Sequence, residues 1–206
     1  MRSAIILAGG KSTRMGEDKG LKKLDNSAIV VHVIKRISHL VNEVLLVLGS
    51  EEQKAVYSQH ISDAVRYVVD EYGEVASLVG ALSGFKQAKG EYALLTGCDM
   101  PFISSEAVSY LFNVAENHNG ATFQWENGWI EPLLAVYRVK PAYLMAEKLY
   151  SDGELRLRMI LKRLDDVKMI PMNELRKLDT EMISFLDADT EELYEKAEKL
   201  IKNGVV

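Results

Sequence analysis

Cysteine occurs once in this 206-residue chain, at Cys98, which excludes an internal disulfide and any cysteine-cluster metal site. Positive charge is not in excess either: 25 Lys and Arg stand against 30 Asp and Glu, a net charge of −5. Phosphate-backbone binders carry a basic face, so nucleic acid is excluded as the main partner. No apolar stretch is long enough to span a bilayer, and the N-terminal apolar run is too short for the core of a signal peptide. Those absences argue against a membrane partner and make the cytoplasm the expected location. The four histidines (His32, His39, His60 and His118) show no ligand spacing and call for no functional account. Repeats, low-complexity tracts and linkers are also missing. What remains is a chain with 48% hydrophobic residues, enough for one sizeable domain with an ample core.

Strands and helices alternate along it. Ala4 to Ala8 reads as a first strand, Val44 to Leu48 as a second, buried one, Arg66 to Val69 as a short third and Tyr92 to Thr96 as a fourth. Between them, Ser27 to Val41 and Val75 to Ala88 carry apolar residues at helical spacing. Ser104 or Ser105 can cap a helix bearing Val108, Leu111, Phe112 and Ala115. A short strand (Ala121 to Gln124), a turn at Glu126-Asn127-Gly128 and an extended run to Arg138 follow. Pro132 implies an edge position or a bulge in that run. Helices near Pro141 to Tyr150 and Glu154 to Leu164, a strand near Val167 to Ile170 and a last helix from Thr190 complete the reading. Such alternation predicts an α/β fold with a mostly parallel sheet flanked by helices, whose ligands sit beyond the carboxyl ends of the strands.

Residues 7 to 23, LAGGKSTRMGEDKGLKK, are the most informative stretch. Glycines directly after a strand let the backbone turn tightly and bring its N–H groups close to an oxyanion. Residues 1 to 23 hold six Lys or Arg against two acids, a local +4 within an acidic chain. A small anionic ligand, phosphate above all, fits that contrast. The loop matches neither the dinucleotide fingerprint G-x-G-x-x-G nor the ATPase loop G-x-x-x-x-G-K-[ST]. Two further segments put polar groups on the same rim: Asp70 after the third strand and Cys98-Asp99 after the fourth. Asp99 at a strand end can hold Mg²⁺ through oxygen and pass the ion to substrate phosphates. Cys98 has no neighbouring His or Lys in sequence to activate it and reads as a small buried residue.

LAGGKSTRMGEDKGL resembles the L-A-G-G-x-S-x-R-M-G-x-D-K-x-L signature of the molybdenum cofactor guanylyltransferases, a MobA-like branch of the nucleotidyltransferases. Leu7 to Gly10, Ser12, Arg14 to Gly16, Asp18, Lys19 and Leu21 match it. Thr96 to Phe102 is similar to the family's C-D-M-P-F motif, whose Asp binds magnesium. The resemblance implies a Rossmann-like, three-layer α/β/α domain of the GT-A-like type over residues 1–206. Its nucleotide-binding half would be about 1–101 and its acceptor-binding half about 102–206. It implies Leu7, Ala8, Gly9 and Gly10 along the triphosphate, Arg14 and Lys19 on the phosphates, Asp99 on Mg²⁺, and Asp70 in the nucleotide site. Asp70 reads equally well as part of a plain turn.

Three departures matter. The family's G-P-L-A-G turn contacts the base, but here the stretch is Ala76-Ser77-Leu78-Val79-Gly80, which leaves base selectivity open. The N-x-N-T-P-E-D segment becomes Asp187-Ala188-Asp189-Thr190, so Asp187 is a candidate second metal contact and Asp189 a helix cap. Glu131-Pro132-Leu133 replaces a Gln-Pro-Leu stretch on the acceptor side. Trp125 and Trp129 beside it either stack on a pterin or pack in the core. Arg156 and Arg158 either meet an acceptor phosphate or form a solvated helix face. The implied reaction moves GMP from GTP to the phosphate of molybdopterin, with molybdoenzymes or their chaperones as further partners. Alternatives are a related transferase using CTP or another phosphorylated acceptor, and a nucleotide-binding chaperone without activity.

Overall fold

The computed structural model describes residues 1–9, 18–61, 65–186, and 194, 195, 197, 199 and 200. The predicted positions Gly10, Arg14, Asp187 and Asp189, and the helix start at Thr190, lie outside them. The chain opens with β1 (Arg2–Leu7), followed by a hairpin of β2 (Lys23–Leu24) and β3 (Ser27–Ala28), helix α1 (Ile29–Ile37), β4 (Glu43–Leu48) and α2 (Glu51–Tyr57). Next come β5 (Arg66–Val69), α3 (Ser77–Gln87), β6 (Tyr92–Gly97) and α4 (Ser105–Ala115). The remaining elements are β7 (Gly120–Gln124), β8 (Ile130–Arg138), α5 (Val139–Ser151), α6 (Arg158–Arg163), β9 (Val167–Pro171) and α7 (Met172–Leu178).

Seven strands form one sheet in the order β5-β4-β1-β6-β8-β7-β9. β1 pairs in parallel with β4 and β6, β4 with β5, and β7 with β9, while β8 runs antiparallel to both its neighbours. The central strands are continuous apolar runs because both faces of the sheet are covered. In β1, Ala4 and Ile6 join the core under α1 and α4, whereas Ile5 faces the core under α3 and α5. The result is the expected three layers with a mostly parallel sheet.

The local deviations have local causes. Ser27-Ala28 is a strand rather than the start of a helix, because Asp25 and Asn26 take positive φ (47° and 64°) and close a hairpin. Pro132 does not mark an edge, since β8 lies between β6 and β7. It falls beyond the stretch paired with β6, beside a register shift between Thr122 and Gln124, so the bulge reading holds. The helix expected from Glu154 begins only at Arg158, after Gly153 turns the chain at φ +76°. Ser104, not Ser105, caps α4, its hydroxyl accepting from the Ala107 N–H at 3.1 Å.

Candidate active site

Parallel pairing sets the carboxyl ends of β1, β4, β5 and β6 side by side. Leu7 stands opposite Gly97 on one side and Val47 on the other. The ladder continues one bond past each strand end. Ala8 N–H donates to Val47 O at 2.9 Å, Cys98 N–H to Leu7 O at 3.0 Å, and Asp70 N–H to Leu48 O at 2.8 Å. The start of the glycine loop, Asp70 and Asp99 are therefore delivered to one rim by backbone pairing alone.

Asp18, where the described chain resumes after the glycine loop, is held on both carboxylate oxygens. Oδ1 accepts from Gly20 N–H at 3.2 Å and from the Tyr57 hydroxyl; Oδ2 accepts from Gln53 Nε2 at 2.5 Å. Gln53 also donates to Ala8 O at 2.8 Å and accepts from Gly49 N–H at 2.8 Å. Asp18 thereby caps the single 3-10 turn Lys19–Leu21 and lays it over Cys98. The contact is close: a Cβ at Gly20 would run into the Tyr57 hydroxyl and stand 3.1 Å from Cys98 Sγ. Burial, then Asp99 and Asp18, push the Cys98 thiol well up, and Lys19 opposes them. Burial, the Cys98 thiol and Asp18 likewise push the Tyr57 hydroxyl far above its ordinary range.

Asp99 is half-buried, and its carboxylate folds back over Gly97, where Leu133 Cδ1 also closes in. Met100 and Phe102 are buried and anchor the turn behind it. No cluster of three or more His, Cys, Asp or Glu that could hold a metal occurs among the described residues. A single strand-end carboxylate still suits Mg²⁺, which takes one or two carboxylates and fills its shell with phosphate oxygens and water. Among the described residues, neutral donors hold both oxygens of Asp18.

A cleft runs from the glycine loop along β4 to the start of α3, lined by Leu7, Gly9, Gly49, Asp70, Ala76 and Gly80 among others. Asp70 closes a turn and also lines this cleft. Its Oδ1 accepts from Tyr72 N–H at 2.9 Å and Ser83 Oγ at 3.2 Å.

On the opposite side, β7 ends and β8 begins at the same rim. The turn between them is closed by Trp125 N–H on Trp129 O at 2.8 Å, with Gly128 at φ +79°. Trp129 is 48% exposed and carries the Arg158 guanidinium 4.8 Å above its ring, whereas Trp125 turns inward onto Phe185 at 5.9 Å. Arg158 Nε is buried with no hydrogen-bond partner among the described residues. Arg156 instead binds Glu154, at 2.8 Å from Nε to Oε1, and its hydrogen bonds bring that carboxyl down to about 2. Burial raises the Glu131 carboxyl, against a hydrogen bond from Leu133 N–H.

The sequence profile of the MobA-like NTP transferase domain matches residues 4–167. The chain belongs to that family. A relative named probable molybdenum cofactor guanylyltransferase, from Methanosarcina mazei, is 30% identical over 196 residues, covering 93% of this chain and 87% of the relative. One of the same name from Natranaerobius thermophilus is 30% identical over 214 residues, covering 97% and 96%. Among solved structures, molybdopterin-guanine dinucleotide biosynthesis protein A from Archaeoglobus fulgidus matches with a TM-score of 0.82 at 25% identity, covering 98% of this chain and all (100%) of that one. A nucleotidyl transferase from Methanothermobacter, at 17% identity and a TM-score of 0.74, shares the fold.

Within this MobA-like transferase the predicted residues divide clearly. Leu7, Ala8, Gly9, Lys19, Asp70 and Asp99 share one rim, and Trp129 joins Arg158. Trp125 and Arg156 go to structural partners. Sequence reasoning missed α2 with Gln53 and Tyr57, and the structural task of Asp18. One signal was present. Ser50-Glu51-Glu52-Gln53 has capping-box spacing, and Ser50 Oγ does accept from Gln53 N–H at 3.2 Å.

Proposed function

We propose that this chain is a Mg²⁺-dependent guanylyltransferase that moves GMP from GTP to the phosphate of molybdopterin and releases pyrophosphate. The observation that carries this reading is geometric: the Lys19–Leu21 turn packs over Cys98, the residue before Asp99, with the β-position of Gly20 only 3.1 Å from Cys98 Sγ. A cation for phosphate and a carboxylate for its counter-ion thus converge where a nucleotide cleft begins. An oxygen of the acceptor phosphate attacks the α-phosphorus of GTP in line. The bond from that phosphorus to the oxygen bridging to the β-phosphate breaks, and pyrophosphate leaves with the electron pair. An ionised phosphate nucleophile needs no general base, and the scheme uses none.

Alignment and charge neutralisation supply most of the rate in such transfers. Backbone N–H groups after β1 line the triphosphate, Lys19 brings a compact charge to the reacting phosphorus, and Arg14 offers a planar fork of donors. Asp99 would hold Mg²⁺, which when bound offsets charge on the phosphates. The cleft from Asp70 to Gly80 takes the base, and the Trp129-Arg158 pair faces the acceptor. A reaction fed by nucleoside triphosphates belongs in the cytoplasm.

The Ala76-Ser77 start of α3, without the family's Gly-Pro, keeps CTP as a second reading for the donor. Pyrophosphate release measured with GTP or CTP, with and without molybdopterin, tests both. Release that requires GTP and molybdopterin together is the expected result. Nucleotide binding without release under any acceptor would leave a binding module instead.

A further inference from the structure

We propose that Gln53 is a positioning residue for the transfer, because one carboxamide ties both stems of the glycine loop together and so sets where Lys19 stands relative to Asp99. The inference rests on the transferase reading above. Three of its four hydrogen-bonding positions are engaged, both amide protons among them. Oε1 accepts from Gly49 N–H at 2.8 Å, which fixes the orientation of the amide. Nε2 then has two protons, one for Ala8 O at 2.8 Å and one for Asp18 Oδ2 at 2.5 Å. Ala8 is the last residue but one before the glycine loop leaves the described chain, and Asp18 is the first after it.

The bridge spans 35 residues of sequence to Asp18 and 45 to Ala8, so one side chain joins segments that are remote along the chain. Tyr57, one helical turn further along α2, takes the second Asp18 oxygen from the same helix face. Asp18 passes the constraint on through Gly20 N–H at 3.2 Å, fixing the turn that carries Lys19. Gln53 touches neither nucleotide nor metal in this scheme. It acts through Asp18 and Lys19.

Two variants of the full chain test this. Gln53→Glu keeps an acceptor for Gly49 N–H but removes both donors, and Gln53→Ala removes all three bonds. Positioning at the reacting phosphorus predicts that kcat falls by about 10- to 100-fold in both, the scale of an ångström-size misplacement. The dissociation constant for GTP, set mainly by the cleft along β4 and α3, should stay within about threefold by the same argument. Amide exchange at residues 8, 9 and 18 to 21 should accelerate by about tenfold in both variants as local opening becomes easier. A lowered melting temperature with unchanged kcat and unchanged exchange would overturn the proposal, since that is what a merely structural bond predicts. A raised KM for GTP at constant kcat would overturn it too. If the unaltered protein releases no pyrophosphate, the transferase reading fails by itself. The exchange rates then still decide whether Gln53 fastens the loop.

Discussion

The Asp99 carboxylate lies over the bare α-carbon of Gly97, in the space that a β-carbon would take. Gly97 is buried at the end of β6 and paired with Leu7 of β1, which holds its backbone in place against the contact. A Gly97→Ala substitution must therefore move Asp99 rather than the strand. The expected outcome is a folded protein whose pyrophosphate release falls about tenfold or more, with a higher Mg²⁺ requirement, given how steeply rate depends on position. Asp99→Ala, which removes the carboxylate altogether, should nearly abolish release while leaving the circular dichroism spectrum intact. Near-normal turnover in Asp99→Ala would refute the metal assignment.

Gly20 presents the same situation for stability. An added methyl group would meet the Tyr57 hydroxyl and Cys98 Sγ, and both side chains are buried with little room to give. Gly20→Ala should cost about 1–3 kcal/mol by overpacking. Chemical denaturation measures that directly. A loss of a few tenths of a kcal/mol or less would mean that the turn over Cys98 can lift away.

The parts of the fold legible in the sequence are those where burial on both faces wrote continuous apolar runs, β1, β4 and β6, together with the short edge strand β5, where only Val68 is buried. Because those strands are parallel and adjacent, reading them also located Asp70 and Asp99 on a shared rim. α2 escaped because only Tyr57 of its seven residues is buried, which leaves no periodic signal. The β2-β3 hairpin escaped because its two-residue strands are too short to alternate. The structural task of Asp18 could not be read at all. Its side-chain partners lie 35 and 39 residues away, and only the packing of α2 against the loop brings them near.

Acid stability has a definite sign at Glu43. Burial alone would raise its carboxyl, but hydrogen bonds from Ser3 Oγ at 2.7 Å and Lys89 N–H at 2.6 Å, with Arg66 at 2.9 Å, outweigh it and lower the group below its ordinary range. A depressed carboxyl binds fewer protons folded than unfolded, so its contribution is complete above the unfolded value of about 4.3. It is lost as pH falls through the folded value. Glu43→Gln should therefore flatten the decline in stability below about pH 4.5, while changing its slope little above pH 6. Parallel urea titrations across that range measure the difference. Equal slopes for the two proteins at low pH would contradict it.

The two tryptophans beside the β7-β8 turn differ in exposure and partners, which makes the proposed acceptor contact testable. Trp129 is exposed and capped on one face by Arg158, so its ring is a platform with a cation beside it. A pterin phosphate matches both features, through stacking on the ring and charge pairing with the guanidinium. Trp129→Ala should raise the KM for molybdopterin by about 2- to 12-fold, the span expected of one aromatic pair, with kcat and the KM for GTP unchanged. Trp129→Phe should recover part of that loss. Trp125 leans on Phe185 and the core beneath α4. Trp125→Ala should lower the melting temperature and leave the acceptor KM alone. If both variants moved only stability, Trp129 would be an exposed packing residue and the acceptor would have to be recognised elsewhere on the rim.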